Sequence, residues 1–205
     1  MGLPASPPLV LASASPRRHE LLAEAGVAFT IEVSDVEEVL EPGLSPEEAA
    51  SSLALQKAVA VADRHRAHDV LVIGADTVVA VDTPEGPMLL GKPADAVEAK
   101  GMLELLSGSR HRVVTGVAVL RTGDDRRLVE FERTWVRMRE ITPEEVGGYV
   151  ASGEWRDKAG GYAIQENADA FVTGLEEGGF DNVVGLPVKR TLELVARLSA
   201  DDPAP

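Results

Sequence analysis

Val70-Leu-Val-Ile-Gly-Ala-Asp-Thr-Val-Val-Ala-Val81 is an apolar run with one carboxylate at its centre. It does not alternate between apolar and polar, so it reads as a strand covered on both faces, the pattern of buried parallel sheets. Asp76 interrupts the run. A carboxylate in such surroundings is costly unless it is hydrogen-bonded, paired or holding a cation. Of all the acids in the chain it has the weakest structural excuse, which makes it the leading functional candidate. Thr77 follows on the opposite side of the strand.

Upstream, Leu11-Ala-Ser-Ala-Ser-Pro-Arg-Arg-His-Glu-Leu-Leu22 joins a short strand (Leu9 to Ala12) to a helix that opens at Pro16 and stops at Gly26. Ser15 suits the N-cap and Pro16 the first helical position. A strand, a hydroxyl-bearing turn and a helix N-terminus bring free amides and the positive end of a dipole to one point, as anion sites do. Arg17 and Arg18 stand at the wrong end of that dipole. They are either solvated or compensated by something negative, and a polyphosphate answers that description. Phe29 to Val33 alternates like a strand, and Ser34-Asp-Val-Glu-Glu38 follows. Its acids, Glu37 and Glu38 among them, form either a solvated loop or a seat for a hard divalent cation. Ser45-Pro46-Glu47-Glu48 is a capping box for a helix ending near His65 to His68. That helix has an alanine-rich side, and Lys57 lies close to it, either snorkelling or pointing into a cleft.

Downstream, Gly86-Pro-Met-Leu-Leu-Gly-Lys-Pro93 nearly spells a P-loop, but Pro93 stands where Ser or Thr should bind Mg²⁺, and Met88-Leu89-Leu90 reads as strand. The P-loop is rejected, and Lys92 remains a phosphate-contact candidate on its own. Asp95, with Glu98 three residues on, caps a helix running to Leu106. Arg112 to Arg121 and Arg127 to Arg139 read as an antiparallel hairpin around Gly123-Asp-Asp125, with Arg133, Arg137 and Arg139 on its exposed face. Thr142-Pro-Glu-Glu145 caps a further helix that closes at Ser152-Gly153. Glu154 to Gln165 mixes charge, glycine and a short apolar stretch, as binding loops or mobile connectors do. Within it, Lys158 is placed to offer charge and Gln165 to read a base edge. Ala170 to Leu175 is a strand, and Gly178 to Pro187 turns into a final helix ending about Leu198.

The 205 residues carry 44% apolar side chains and a net charge of -14. That balance fits a globular protein and argues against a nucleic-acid or anionic-membrane surface. No cysteine is present, which excludes disulfides, thiolate metal sites and a Cys nucleophile. No run reaches the length of a membrane span, and a cytoplasmic protein is expected. With no repeat or linker, residues 1–205 read as one domain with tails at 1–8 and 200–205. HExxH, GxSxG and a dinucleotide-binding GxGxxG are absent. What remains is Asp76 with Glu37 and Glu38, set against Arg17, Arg18, Lys57, Lys92 and Lys158. That inventory suits attack of water on a phosphate chain.

Ser13-Ala-Ser-Pro-Arg-Arg18, Gly74-Ala-Asp-Thr-Val-Val79, Leu90-Gly-Lys-Pro93, Asp157-Lys-Ala-Gly-Gly-Tyr-Ala-Ile-Gln165 and Asn182-Val-Val-Gly-Leu-Pro187 together resemble the Maf proteins. The motifs stand in that family's order and spacing, from about Leu9 to Leu198. The resemblance implies an α/β fold like the inosine triphosphatase group: a mixed twisted sheet flanked by helices, two lobes around a central cleft, and frequent homodimers. It also implies a nucleoside triphosphate pyrophosphatase that releases a nucleoside monophosphate and pyrophosphate with a divalent cation (Mg²⁺, Mn²⁺ or Co²⁺). Asp-Thr-Val-Val followed by Gly-Tyr-Ala-Ile-Gln looks like the branch acting on dTTP and UTP. The alternatives are the branch acting on 7-methyl-GTP and a non-catalytic regulator of septum formation.

On this resemblance Asp76 is the base, Arg17, Thr77 and Gln165 read the nucleotide, and Lys57, Lys92 and Lys158 grip phosphates. Arg18 stands beside Arg17 for the substrate, Ser13 lines the turn, and Glu38 joins Asp76 at the metal. Three places depart from the family pattern. Ser52 replaces a usual arginine, Glu166 a usual glycine, and Gly179-Phe180 a more common pair.

Overall fold

In the computed structural model the described residues are 7–124, 126–165 and 167–200. Asp125 of the hairpin turn, Glu166 and most of both tails lie outside them. The strands are β1 (Leu9–Leu11), β2 (Thr30–Ile31), β3 (Leu71–Thr83), β4 (Gly86–Leu90), β5 (Arg110–Arg121), β6 (Arg127–Met138) and β7 (Val172–Glu176). The helices are α1 (Pro16–Glu24), α2 (Pro46–Ala62), α3 (Ala96–Leu106), α4 (Pro143–Ser152), α5 (Phe180–Val184) and α6 (Val188–Ser199). The strands form one mixed sheet in the order β2-β1-β3-β5-β6-β7, with β4 also on β3. No helix among the described residues is long and apolar enough to cross a membrane.

The parallel reading of β3 holds only at its start, where Leu71 to Ile73 pair with Leu9 to Leu11 of β1. Its other edge runs antiparallel to β5 from Leu71 to Ala80, and Val79 to Thr83 run antiparallel to β4. An apolar run reports that both faces are covered and says nothing about the direction of its neighbours. β1 stops opposite Ile73, and β4, running antiparallel, ends opposite Val79. Between them, β3 has no strand partner on that edge among the described residues, and Asp76 and Thr77 sit in this gap.

The two faces of β3 are covered by different elements. Leu71, Ile73 and Ala75 pack with Leu11, Leu22, Leu186 and Leu194. Further along the same face, Val79 and Val81 pack with Leu103, Leu106, Trp155 and Tyr162. Thr77 falls between these two cores. On the opposite face α2 lies almost on the backbone of the sheet. A Cβ on Gly74 would stand 2.2 Å from the carbonyl oxygen of Ala54, and one on Gly116 would stand 2.3 Å from that of Ala50. Only glycine fits at either place, and the buried alanines of α2 make the approach possible.

The capping box of α2 forms as read, with Ser45 accepting from the Glu48 amide and the Glu48 carboxylate accepting from that of Ser45. Thr142 and Glu145 do the same for α4, which ends on left-handed Gly153. At α1 the expectation changes. Ser15 occupies the N-cap with extended backbone, yet its side chain makes no capping bond. Ser13 Oγ instead accepts from the Ser15 amide at 3.1 Å and closes the turn. The strand expected from Phe29 to Val33 shrinks to Thr30–Ile31, an exposed edge paired to β1. The turn expected before the last helix contains the short helix α5.

Candidate active site

The gap in the sheet opens into a cleft with two ends. The inner end has apolar walls from Val79, Val113, Tyr162, Ile164 and Val183. Asp76, Thr77, Lys158 and Gln165 supply its polar groups. The outer end runs under the β1–α1 turn and the loop from Val33 to Glu38, and includes Ser13. Ser15, Arg17, Arg18, Lys57, Lys92 and Asp157 border both ends. Each of the candidates Ser13, Arg17, Arg18, Glu38, Lys57, Asp76, Thr77, Lys92, Lys158 and Gln165 therefore faces this cleft. Glu37 is exposed and does not line it.

Asp76 is 8% exposed, on the face of β3 that meets α2. Because Gly74 lets that helix approach so closely, the half-buried Lys57 of α2 reaches it. The Lys57 ammonium contacts Asp76 Oδ1 and lies 2.9 Å from Glu38 Oε1. Lys57 thus points into the cleft rather than snorkelling. Burial pushes the Glu38 carboxyl up, but the hydrogen bond and charge of Lys57, with Lys92 and Arg18 behind it, hold it below its ordinary value. The loop that carries Glu38 is tied to α2. Gln56 accepts from the Val39 amide at 3.2 Å and donates to the Val39 carbonyl at 2.7 Å. Ser52 Oγ in turn accepts from Gln56 at 3.2 Å.

Arg18 is not a solvated arginine. Its Nε donates to the Gly185 carbonyl at 2.7 Å and its Nη2 to Thr77 Oγ1 at 3.1 Å. Both acceptors are neutral. Burial pushes the guanidinium down from its ordinary value, and Asp76 offsets part of that. The chain of bonds continues inward: Thr77 Oγ1 lies 2.9 Å from Thr115 Oγ1, which donates to the Asn182 carbonyl at 2.8 Å. Asn182 Nδ2 donates to Thr134 Oγ1 and to the Val113 carbonyl. The wall carrying Val183 and Val184 is thereby bolted to β5 and β6.

The loop expected to bind ligand bends sharply into the cleft. Asp157 (φ 61), Gly160 (φ 70) and Gly161 (φ 71) all adopt left-handed backbone. Gly160 N donates to the Gly91 carbonyl at 2.9 Å, linking this loop to the turn that carries Lys92. Lys158 is buried and donates to the Glu154 carbonyl. Lys92 is exposed at the mouth, with no hydrogen bond or ion pair among the described residues. The valine walls, Tyr162 and Asp157 were not singled out in the sequence. Apolar residues in a turn look like ordinary core, and the only local sign at Asp157 is its place between two residues of a charged loop.

A family model for the Maf-like proteins matches residues 8–198. The chain belongs to this family. A protein from Bacillus cereus (strain AH820) described as a dTTP/UTP pyrophosphatase is 46% identical over 193 residues, covering 94% of this chain and 96% of its own. Proteins of the same description from Bacillus anthracis and from Bacillus thuringiensis subsp. konkukian (strain 97-27) match to the same extent. In this Maf-like chain, no group of three or more His, Asp or Glu among the described residues is arranged to hold a metal. Glu38 and Asp76 nevertheless converge on one cation, the Lys57 ammonium. Two carboxylates suit a hard cation that brings its remaining oxygens from phosphate and water, as Mg²⁺ does at triphosphate sites. The donor set fits such an ion and does not form a cage for it.

Proposed function

We propose that this Maf-like protein hydrolyses dTTP and UTP to the nucleoside monophosphate and pyrophosphate. The observation that carries this is Asp76, a buried carboxylate held by Lys57 where the apolar end of the cleft meets the charged end. The description of the 46% identical relatives supports the choice of nucleotides.

A pyrimidine base fits the apolar end, with Thr77 and Gln165 offering hydroxyl and amide groups to its edge. The triphosphate extends to the charged end, where Arg17, Lys57 and Lys92 neutralise it beside the Ser13 turn, while Lys158, in the inner end, meets the phosphate nearest the nucleoside. Lys57 engages Oδ1 of Asp76, and Oδ2 has no partner among the described residues. That oxygen accepts a proton from a water whose oxygen attacks the α-phosphorus. The bond from that phosphorus to the bridging oxygen breaks, and pyrophosphate departs with the electron pair. A divalent cation held by Glu38, Asp76 and phosphate oxygens would supply charge neutralisation to the leaving group. This reading places the work in the cytoplasm, where free nucleoside triphosphates are found.

The test is a nucleotide panel with Mg²⁺ or Mn²⁺ that follows both pyrophosphate and orthophosphate. Pyrophosphate from UTP and dTTP is expected. Orthophosphate as the first product, 7-methyl-GTP as the preferred substrate, or binding without turnover overturns the reading.

A further inference from the structure

His111 and Tyr162 lie 51 positions apart in the chain and are both buried, His111 completely. Tyr162 lines the apolar end of the cleft; His111, on β5, borders neither end of it. Nε2 of the imidazole is 2.7 Å from the phenol oxygen, and Nδ1 is 3.2 Å from Ser109 Oγ. The two rings meet edge to face, with centroids 5.5 Å apart. Burial pushes the imidazole down to about 4, so it is neutral at physiological pH. A neutral imidazole has one donor and one acceptor, and a hydroxyl at each nitrogen satisfies either tautomer.

Filling this space needs no polar pair, because a leucine or phenylalanine against phenylalanine would do it without the cost of desolvating two groups. What the pair adds is direction. Left-handed Gly160 and Gly161 bend the chain immediately before Tyr162, and Lys158 and Gln165 line the same cleft as that ring, so its depth bears on where both stand. We infer that His111 is a positioning residue: through its hydrogen bond to Tyr162 it holds segment 158–165 against the apolar end of the cleft and so sets affinity for the nucleoside. The choice of nucleoside rests on the function proposed above. The anchoring of the segment does not.

The experiment uses the full chain with His111→Leu, His111→Gln, Tyr162→Phe and the double variant His111→Leu/Tyr162→Phe. Calorimetry gives Kd for UMP, and competition gives Kd for inorganic tripolyphosphate, which has no base. His111→Leu is expected to weaken UMP about tenfold and tripolyphosphate by only about two- to threefold, the smaller loss coming through Lys158. His111→Gln, which still hydrogen-bonds, recovers most of the loss. The double variant is no worse than either single one, because the two residues act as a unit. Equal losses for both ligands, additive losses in the double variant, or unchanged UMP affinity in His111→Leu overturns the inference.

Amide hydrogen exchange on the ligand-free protein decides the anchoring separately. Faster exchange confined to 158–165 in His111→Leu supports it, and unchanged or uniformly faster exchange overturns it. Should wild-type protein bind no UMP, the nucleotide reading falls, and the exchange result still decides what His111 does.

Discussion

Arg18 Nη2 donates to Thr77 Oγ1 at 3.1 Å, so the first turn of α1 is locked to the gap in β3 by a guanidinium that has no carboxylate partner among the described residues. Its other bond, to the Gly185 carbonyl, fixes the turn before α6. One side chain thus joins three segments bordering the cleft. It also leaves a positive charge in a desolvated place, where its field acts on a phosphate more strongly than it would in water.

Lysine at this position keeps the charge and loses the fork, since one ammonium cannot reach both acceptors with the same geometry. Arg18→Lys is therefore expected to cost about 1.5–3 kcal/mol in urea unfolding, the range for hydrogen bonds to a charged group. KM for UTP should rise at the same time. Thr77→Val, which also removes one of the two hydrogen bonds of the Thr115 hydroxyl, should cost a similar amount, and Thr77→Ser little. Arg18→Lys with wild-type stability would mean that the fork is not holding these segments together.

Asp76→Asn keeps the shape and removes the proton acceptor. The expected loss in kcat is about 10²–10⁴-fold, the usual contribution of a general base. Binding should persist, because the replaced charge repels a polyanion. Titration calorimetry with UTP and a pyrophosphate-release assay on the same preparation separate the two effects. Turnover within a few-fold of wild type would remove Asp76 from the role of base.

Much of this was legible because the signals were local. The capping boxes at Ser45 and Thr142, the hairpin of β5 and β6 and the buried Asp76 each depend on residues only a few places apart. Strand direction was not legible at β3, since apolar residues pair equally well with parallel and antiparallel neighbours. Ser13 and Ser15 are both hydroxyls two residues apart, and only the geometry of the turn decides which one closes it. The neutral partners of Arg18 lie 59 and 167 positions away, so its sequence neighbourhood suggested an anion instead.

Gly74→Ala tests the contact that brings Lys57 to Asp76. The new methyl would lie 2.2 Å from the Ala54 carbonyl oxygen and 2.7 Å from the Ala58 amide nitrogen, both backbone atoms. Neither can turn aside as a side-chain tip can, so α2 must shift as a whole. A loss of about 3 kcal/mol or more in urea unfolding is expected, at the upper end for overpacking. UTP turnover should fall too, as Lys57 moves away from β3. Gly174→Ala in β7, where a Cβ meets nothing within 4 Å, is the control and should stay within about 0.5 kcal/mol of wild type. Equal stabilities for the two variants would mean that α2 does not lie this close.

His111 makes stability depend on pH in a window set by its two states. Burial takes the imidazole from 6.5 to about 4, so between those values the unfolded chain binds a proton that the folded chain does not. Stability from this group is complete above about pH 6.5 and is lost as pH falls toward 4, because protons favour the unfolded state. Between pH 7 and pH 5 the loss comes to about 2 kcal/mol. Carboxylates titrate near this window as well, so the measurement is a comparison. Urea unfolding of wild type and His111→Gln is followed at both pH values, which cancels the acids the two proteins share. The wild-type curve should fall more steeply by about 2 kcal/mol, and superimposed slopes would mean that His111 takes up its proton without leaving the fold.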